Sequence, residues 1–207
     1  MVAVDDPWGE TAVETSLGTL DLDQVEPTVF EGHSLPVPGN RVFGGQLLAY
    51  AGMDEGKEVT WIPSYGPEMR GGTANCTVAV ADDEIASPIA SEPDFLVVMN
   101  NPSLHTFQNR IAPNGSFFLN ASAIKARPSR TDVRIHEIPA GEIADSLGNP
   151  RVQNIVMMGA YARKTGLVSA ETYLKSLRAI IGEKKKSLLE LNRNAFMAGY
   201  DFAGGTD

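Results

Sequence analysis

A ten-residue segment rich in glycine, residues 64–73, contains the strongest candidate binding site in the sequence. Gly66, Gly71 and Gly72 would let backbone N–H groups approach a ligand closely, and Arg70 offers a planar fork for phosphate or carboxylate. The segment follows an expected strand, and ligands of open α/β sheets bind beyond the carboxyl ends of strands. The candidate residues are Ser64, Tyr65, Gly66, Arg70, Gly71, Gly72 and Thr73. The alternative is a structural loop whose Arg70 pairs with a neighbouring carboxylate or with another subunit.

Other residues with chemical potential give weaker signals. Gly44 and Gly45 could belong to a phosphate-binding turn, but such a turn needs a strand before it, so a linker is the favoured interpretation. Cys76 is predicted to be a buried, unreactive thiol, because no base is paired with it. The three histidines His33, His105 and His136 lie far apart without the spacing of metal ligands. We therefore expect no metal site and no catalytic residue in this chain.

Composition and charge exclude several classes of function. The 207 residues carry a net charge of −9, which argues against binding to nucleic acid and against docking on anionic lipid. No apolar run is long enough to span a membrane, and the acidic N-terminus is unlike a secretory signal, so we expect a cytoplasmic protein. The first 46 residues hold eight acidic residues against Arg41 alone, whereas the remainder is nearly balanced. Such asymmetry is typical of an acidic tail or of a segment of separate origin.

Alternating periodicity along the chain predicts the elements that would position these residues. The expected strands span residues 58–63, 75–81, 94–100, 116–120 and 133–138, and the expected helices span residues 46–57, 102–110, 140–147, 153–164, 169–181 and 187–199. The apolar run 94–100 predicts a strand buried on both faces, and Ser103 is a candidate helix N-cap. Strands that alternate with helices predict an α/β fold: a three-layer open, mostly parallel (Rossmann-like) sheet with helices on both faces and a helical C-terminus.

One motif carries a family resemblance. The run Ser64-Tyr-Gly-Pro-Glu-Met-Arg-Gly-Gly-Thr-Ala-Asn75 resembles the gamma subunit, or gamma domain, of the pyruvate and 2-oxoisovalerate ferredoxin oxidoreductases. The similarity continues through the apolar run 94–100 and residues 152–160 to the last helix, so that it covers about residues 47–202. It implies a subunit that shapes a subunit interface and the coenzyme A entrance, with the glycine-rich loop and Gly44–Gly45 as the binding residues.

The resemblance also implies a reaction, cofactors and partners. The family reaction is oxidative decarboxylation of a 2-oxoacid with coenzyme A, which yields acyl-CoA, carbon dioxide and reduced ferredoxin. Thiamine diphosphate, Mg²⁺ and iron–sulfur clusters serve that chemistry, and the resemblance places them mainly on alpha, beta and delta subunits. We therefore expect no cofactor bound by this chain alone, and no activity without its partners. The alternative is a pure assembly subunit that contacts no ligand.

The N-terminal segment departs from the family pattern. A strand and a complete glycine-rich turn are expected before the first helix, but only Phe43-Gly44-Gly45-Gln46 remains of them. Residues 20–46 instead resemble the start of type II acyl-CoA thioesterases, through Val25–Phe30, Gly32 and Arg41–Gln46. We therefore expect a chimera with a partly disordered segment at 1–43, a gamma-type domain at 44–202 and a flexible tail at 203–207. A non-functional hybrid is a further alternative.

Overall fold

The computed structural model describes residues 21–26, 29–33, 44–64, 75–87, 90–182 and 185–205. The chain forms two compact units, residues 1–41 and 42–207. In the first unit, β1 (Asp21–Glu26) and β2 (Val29–His33) pair as an antiparallel hairpin, with an irregularity in register between Gln24 and Glu26.

The second unit alternates helices with strands. Its strands are β3 (Glu58–Ser64), β4 (Asn75–Ala81), β5 (Phe95–Val98), β6 (Ser116–Asn120) and β7 (Arg134–Ile138). Its helices are α1 (Gly44–Asp54), α2 (Asn101–Phe107), α3 (Ala140–Ser146), α4 (Gln153–Thr165), α5 (Ala170–Ile181) and α6 (Lys186–Gly204). A short 3₁₀ turn at Pro150–Val152 leads directly into α4.

Three parallel strands in the order β5-β6-β7 form one sheet in the described part of the chain, and β3 pairs with β4 as a separate antiparallel hairpin. Every residue of the central strand β6 is buried. Because side chains alternate across a strand, Phe118 joins the core formed with α1, α4, α5 and α6, whereas Phe117 and Leu119 pack with Leu104 of α2 on the other face. Helices therefore cover both faces, which confirms the expected three-layer α/β fold.

The edge position of β5 overturns one expectation. Residues 94–100 were expected to form a strand buried on both faces, but Phe95 and Val97 are 39% and 37% exposed. Phe95 contacts Tyr161 of α4 edge to face, with ring centroids 5.6 Å apart, and this contact covers only part of the Phe95 side chain. A continuous apolar run predicts a strand correctly, but it does not reveal that the strand lies at the edge of the sheet.

Helix ends agree with the sequence at some positions and differ at others. Ser169 caps α5 by accepting the Thr172 N–H, and Gly166 ends α4 with a left-handed φ of 57°. The expected cap at Ser103 is wrong, because the Asn100 side chain caps α2 and accepts the Ser103 N–H at 2.9 Å. The last helix continues to Gly204, so the expected tail boundary at residue 203 falls inside a helix.

Two glycines let the longest helices approach closely. A Cβ added at Gly159 of α4 would collide with the carbonyl oxygen of Phe196, and one added at Gly199 of α6 would collide with that of Val156. Gly199, read from the sequence as the end of the last helix, is thus a contact residue within it. This crossing fixes α6 against α4, the helix that also covers the parallel sheet at Phe118.

Candidate functional site

The hairpin β3–β4 holds the two ends of the glycine-rich loop. Seven residue pairs run from Glu58–Ala81 to Ser64–Asn75, so residues 65–74 connect the last pair. Paired antiparallel residues lie about 5 Å apart between Cα atoms, and this spacing fixes the base of the loop. Of the predicted site residues, Ser64 is the last residue of β3, while Tyr65, Gly66, Arg70, Gly71, Gly72 and Thr73 lie outside the described residues.

The first turn of α1 lies against the loop end of this hairpin. A methyl group added at Gly45 would overlap the Sγ atom of Cys76 and lie 3.4 Å from Trp61 Nε1. Cys76 pairs with Pro63, one register pair from the base of the loop. The structure therefore brings Gly45 next to Cys76 near the loop end of the hairpin, although the two residues are far apart in the sequence.

Gly44 and Gly45 are the first two residues of α1, so their favoured interpretation as a linker is wrong. Gly44 contacts α4, because a Cβ at this position would lie 3.1 Å from the Sδ and Cγ atoms of Met158. Gly44 thus lets α1 pack closely against α4, and Gly45 lets it pack closely against the hairpin, so both positions have a structural reason to lack a side chain. Their expected role in binding a ligand remains a prediction.

Contacts at the opposite end of α1 hold it in this position. Asp54 accepts a hydrogen bond from Ser176 Oγ at 2.7 Å, and its other carboxylate oxygen lies 3.5 Å from Lys175 Nζ. Glu55, directly after the helix, accepts hydrogen bonds from the backbone N–H and the hydroxyl of Ser169. The carboxylates at the C-terminal end of α1 therefore attach this helix to α5, while its N-terminal end contacts the hairpin.

The thiol of Cys76 lies at this junction. Burial raises the pKa of the Cys76 thiol, and the nearby Trp61 side chain and Gly45 N–H offset the rise only in part. The thiol is therefore protonated at neutral pH, which agrees with the expected lack of nucleophilic reactivity. The expectation that the whole residue is buried is wrong, because Cys76 retains exposed surface on β4.

Unpaired polar atoms concentrate on α1 and β3. Among the described residues, five buried side-chain oxygen or nitrogen atoms lack a hydrogen-bond partner, and Tyr50 Oη, Thr60 Oγ1 and Trp61 Nε1 are three of them. The Nε1–H of Trp61 faces the Cys76 sulfur, a weak acceptor, without reaching hydrogen-bond geometry. Burial also raises the pKa of Tyr50. Sequence reasoning missed these groups, since nothing in their spacing indicates that α1 packs against β3.

The carboxyl edge of the parallel sheet also carries polar side chains, but most of them cap neighbouring elements. Asn120 donates to Gln153 Oε1 at 3.1 Å, and Ser122 Oγ accepts the N–H groups of Gly141 and Glu142 at the start of α3. Asn100 caps α2 in the same way. Because these side chains are already bonded, they form a structural frame, and the α1–hairpin junction is the better candidate site.

The N-terminal end of α1 is the feature of this junction that could bind a ligand. The first N–H groups of a helix have no partner within the helix, and its dipole is positive at that end, so the start of α1 favours an anion. No cluster of three or more potential metal-ligating side chains occurs among the described residues. His136 lies in β7, and the centroids of its ring and the Phe118 ring are 4.8 Å apart. Burial lowers the pKa of His136, and the positive charges of Lys164 and Arg134 lower it further. Such a histidine is an ordinary packed residue, as expected.

Comparison with known proteins decides the family. Residues 41–202 match the family described as pyruvate ferredoxin/flavodoxin oxidoreductase. The chain belongs to this family. It is 33% identical over 171 residues to the 2-oxoglutarate synthase subunit KorC of Methanocaldococcus jannaschii, and this alignment covers 78% of this chain and 90% of that subunit. It is also 35% identical over 170 residues to the ketoisovalerate oxidoreductase subunit VorA of Methanothermobacter thermautotrophicus, which covers 78% of this chain.

A solved structure agrees with this family assignment. The gamma subunit of keto/oxoacid ferredoxin oxidoreductase from Geobacter sulfurreducens PCA superposes with a TM-score of 0.66 at 25% identity, over 79% of this chain and 90% of that one. The chain nevertheless spans only 35% of the length of the VorA relative, and 38% of the length of the corresponding subunit from Methanothermobacter marburgensis. In the described part of the chain, no helix is long and apolar enough to cross a membrane.

Proposed function

We propose that the chain is a gamma-type subunit of a 2-oxoacid:ferredoxin oxidoreductase complex. The match of residues 41–202 to the oxidoreductase family carries the proposal. The KorC and Geobacter relatives, which the chain matches over 90% of their length, support a gamma-type subunit in particular. The reaction would be oxidative decarboxylation of pyruvate, 2-oxoglutarate or a branched 2-oxoacid to its acyl-CoA, with transfer of electrons to ferredoxin.

The chain would act with alpha, beta and delta partners rather than alone. An iron–sulfur cluster is held by several cysteine thiolates, and this chain has a single cysteine, so its residues do not fit a cluster. Thiamine diphosphate, Mg²⁺ and the clusters would belong to the partner subunits and would supply the carbanion and electron-transfer chemistry. The contribution of this chain is to complete the complex and to form part of the entrance for coenzyme A.

We propose that the entrance lies where α1 meets the β3–β4 hairpin. The positive end of the α1 dipole and the glycines of residues 66–72 suit the phosphate groups of coenzyme A, and the Arg70 guanidinium can pair with these phosphates bidentately. Support comes from the contact of Gly45 with Cys76, which places the helix start beside the base of the loop. No residue of this chain would touch the reacting atoms.

Replacement of Arg70 tests the proposed entrance. The Arg70→Ala variant, reconstituted with its partners, is expected to raise the KM for coenzyme A by about 10- to 100-fold. That range corresponds to the roughly 1.5–3 kcal/mol of a hydrogen bond to a charged group. The KM for the 2-oxoacid should change little. Arg70→Lys, which keeps the charge but loses the fork, should give an intermediate KM.

The exposed Arg178 on α5 supplies a matched control, since Arg178→Ala removes the same charge from a helix remote from the loop in sequence. It should leave the KM for coenzyme A unchanged. If Arg70→Ala also leaves this KM unchanged in an active complex, the proposed ligand contact is wrong and the alternative of a pure assembly subunit is correct.

We also propose that the N-terminal segment, residues 1–43, has a separate origin from the rest of the chain. The resemblance to a thioesterase is confined to residues 20–46. The acidic bias of the first 46 residues supports this, as do the start of the family match at residue 41 and the division of the chain at 41/42. Digestion with a glutamate-specific protease should release a single peptide that spans residues 32–55. Detection of this peptide by mass spectrometry in the native protein would establish a natural fusion, and a native N-terminus inside this span would refute it.

A further inference from the structure

We draw no further inference here: the strongest candidate, the apolar strip that Phe95 and Val97 expose along β5 at the edge of the parallel sheet, carries none because nothing in the described residues shows what covers it.

Discussion

The close approach of α1 to the hairpin predicts a specific cost for a side chain at Gly45. In Gly45→Ala the new methyl group would overlap Cys76 Sγ and press on Trp61 and Val78, whose nearest atoms lie 3.4 Å away. Overpacking of this kind costs about 1–3 kcal/mol, and the better helix propensity of alanine recovers less than about 1 kcal/mol. We expect a net loss of about 1–2 kcal/mol in the free energy of unfolding.

A thermal melt followed by circular dichroism at 222 nm would measure this loss. The Tm of a chain of this size shifts by roughly 2–4 °C per kcal/mol, so Gly45→Ala should lower the Tm by about 2–8 °C. The matched control is Gly205→Ala, because a Cβ at Gly205 would meet no atom closer than the Phe202 carbonyl oxygen at 3.8 Å. Its Tm should stay within about 1 °C of the wild type.

A double-mutant cycle with Cys76→Ala identifies the source of the cost. Removal of the sulfur should relieve most of the overlap, so Gly45→Ala should destabilise the Cys76→Ala protein by about 1 kcal/mol less than the wild type. An equal loss in both backgrounds would refute the contact between α1 and the hairpin. So would a wild-type protein that tolerates Gly45→Ala without any change in Tm.

Four further predictions follow from other contacts. Gly159→Ala should lower the free energy of unfolding by about 3 kcal/mol or more in urea titrations, since the Phe196 carbonyl cannot rotate away; a neutral result would exclude the close helix crossing. Hydrogen bonds from nearby hydroxyls, that of Thr172 first, lower the pKa of Glu55 in the folded protein. The ionised Glu55 carboxylate therefore stabilises the fold above its unfolded-state pKa, and this contribution to the free energy of unfolding is lost as pH falls through the folded-state pKa. The Tm difference between Glu55→Gln and wild type should therefore narrow from pH 5 to about pH 3, and a pH-independent difference would contradict this. Iodoacetamide should label Cys76 more slowly in folded than in urea-unfolded protein at pH 8, because its pKa is raised; equal rates would contradict the structure. Deletion of residues 1–41 should leave the helical circular dichroism signal of the second unit intact, whereas a loss of helix would show that this unit cannot fold alone.

Short-range patterns predicted much of the fold. The strands β4 and β6 begin and end at the residues expected from their apolar patterns, at Asn75–Ala81 and Ser116–Asn120. The helix expected at residues 169–181 was also correct, since Ser169 caps it and capping depends only on residues within one helical turn. Such features are local, and the sequence therefore contains all the information that they require.

Features that depend on a distant neighbour were predicted less well. The exposure of β5 depends on its edge position in the sheet, which the apolar run 94–100 does not specify. Gly199 was read as a helix end because glycine disfavours helix interiors, but a close contact with Val156 of another helix gives it a reason to lie within α6. In both cases a tertiary contact overrides the local preference.

The candidate site shows the same limit. The residue types in the segment 64–73 and at Gly44–Gly45 identified two separate candidates, but their spacing did not indicate that Gly45 lies next to Cys76 near the base of the loop. Their proximity follows from the register of the hairpin, which places Cys76 opposite Pro63, and from the attachment of α1 to α5. The roles of Arg70 and its neighbours in binding stay predictions.

Reconstitution with partner subunits tests the central claim most directly. The chain, tagged and co-expressed with alpha, beta and delta subunits, would be captured and assayed for coenzyme A-dependent reduction of ferredoxin or a viologen dye by a 2-oxoacid. A gamma-type subunit predicts a stoichiometric complex that reduces the dye only when the 2-oxoacid and coenzyme A are both present. A folded chain that captures no partner, or an equally active complex without it, would contradict the proposed function.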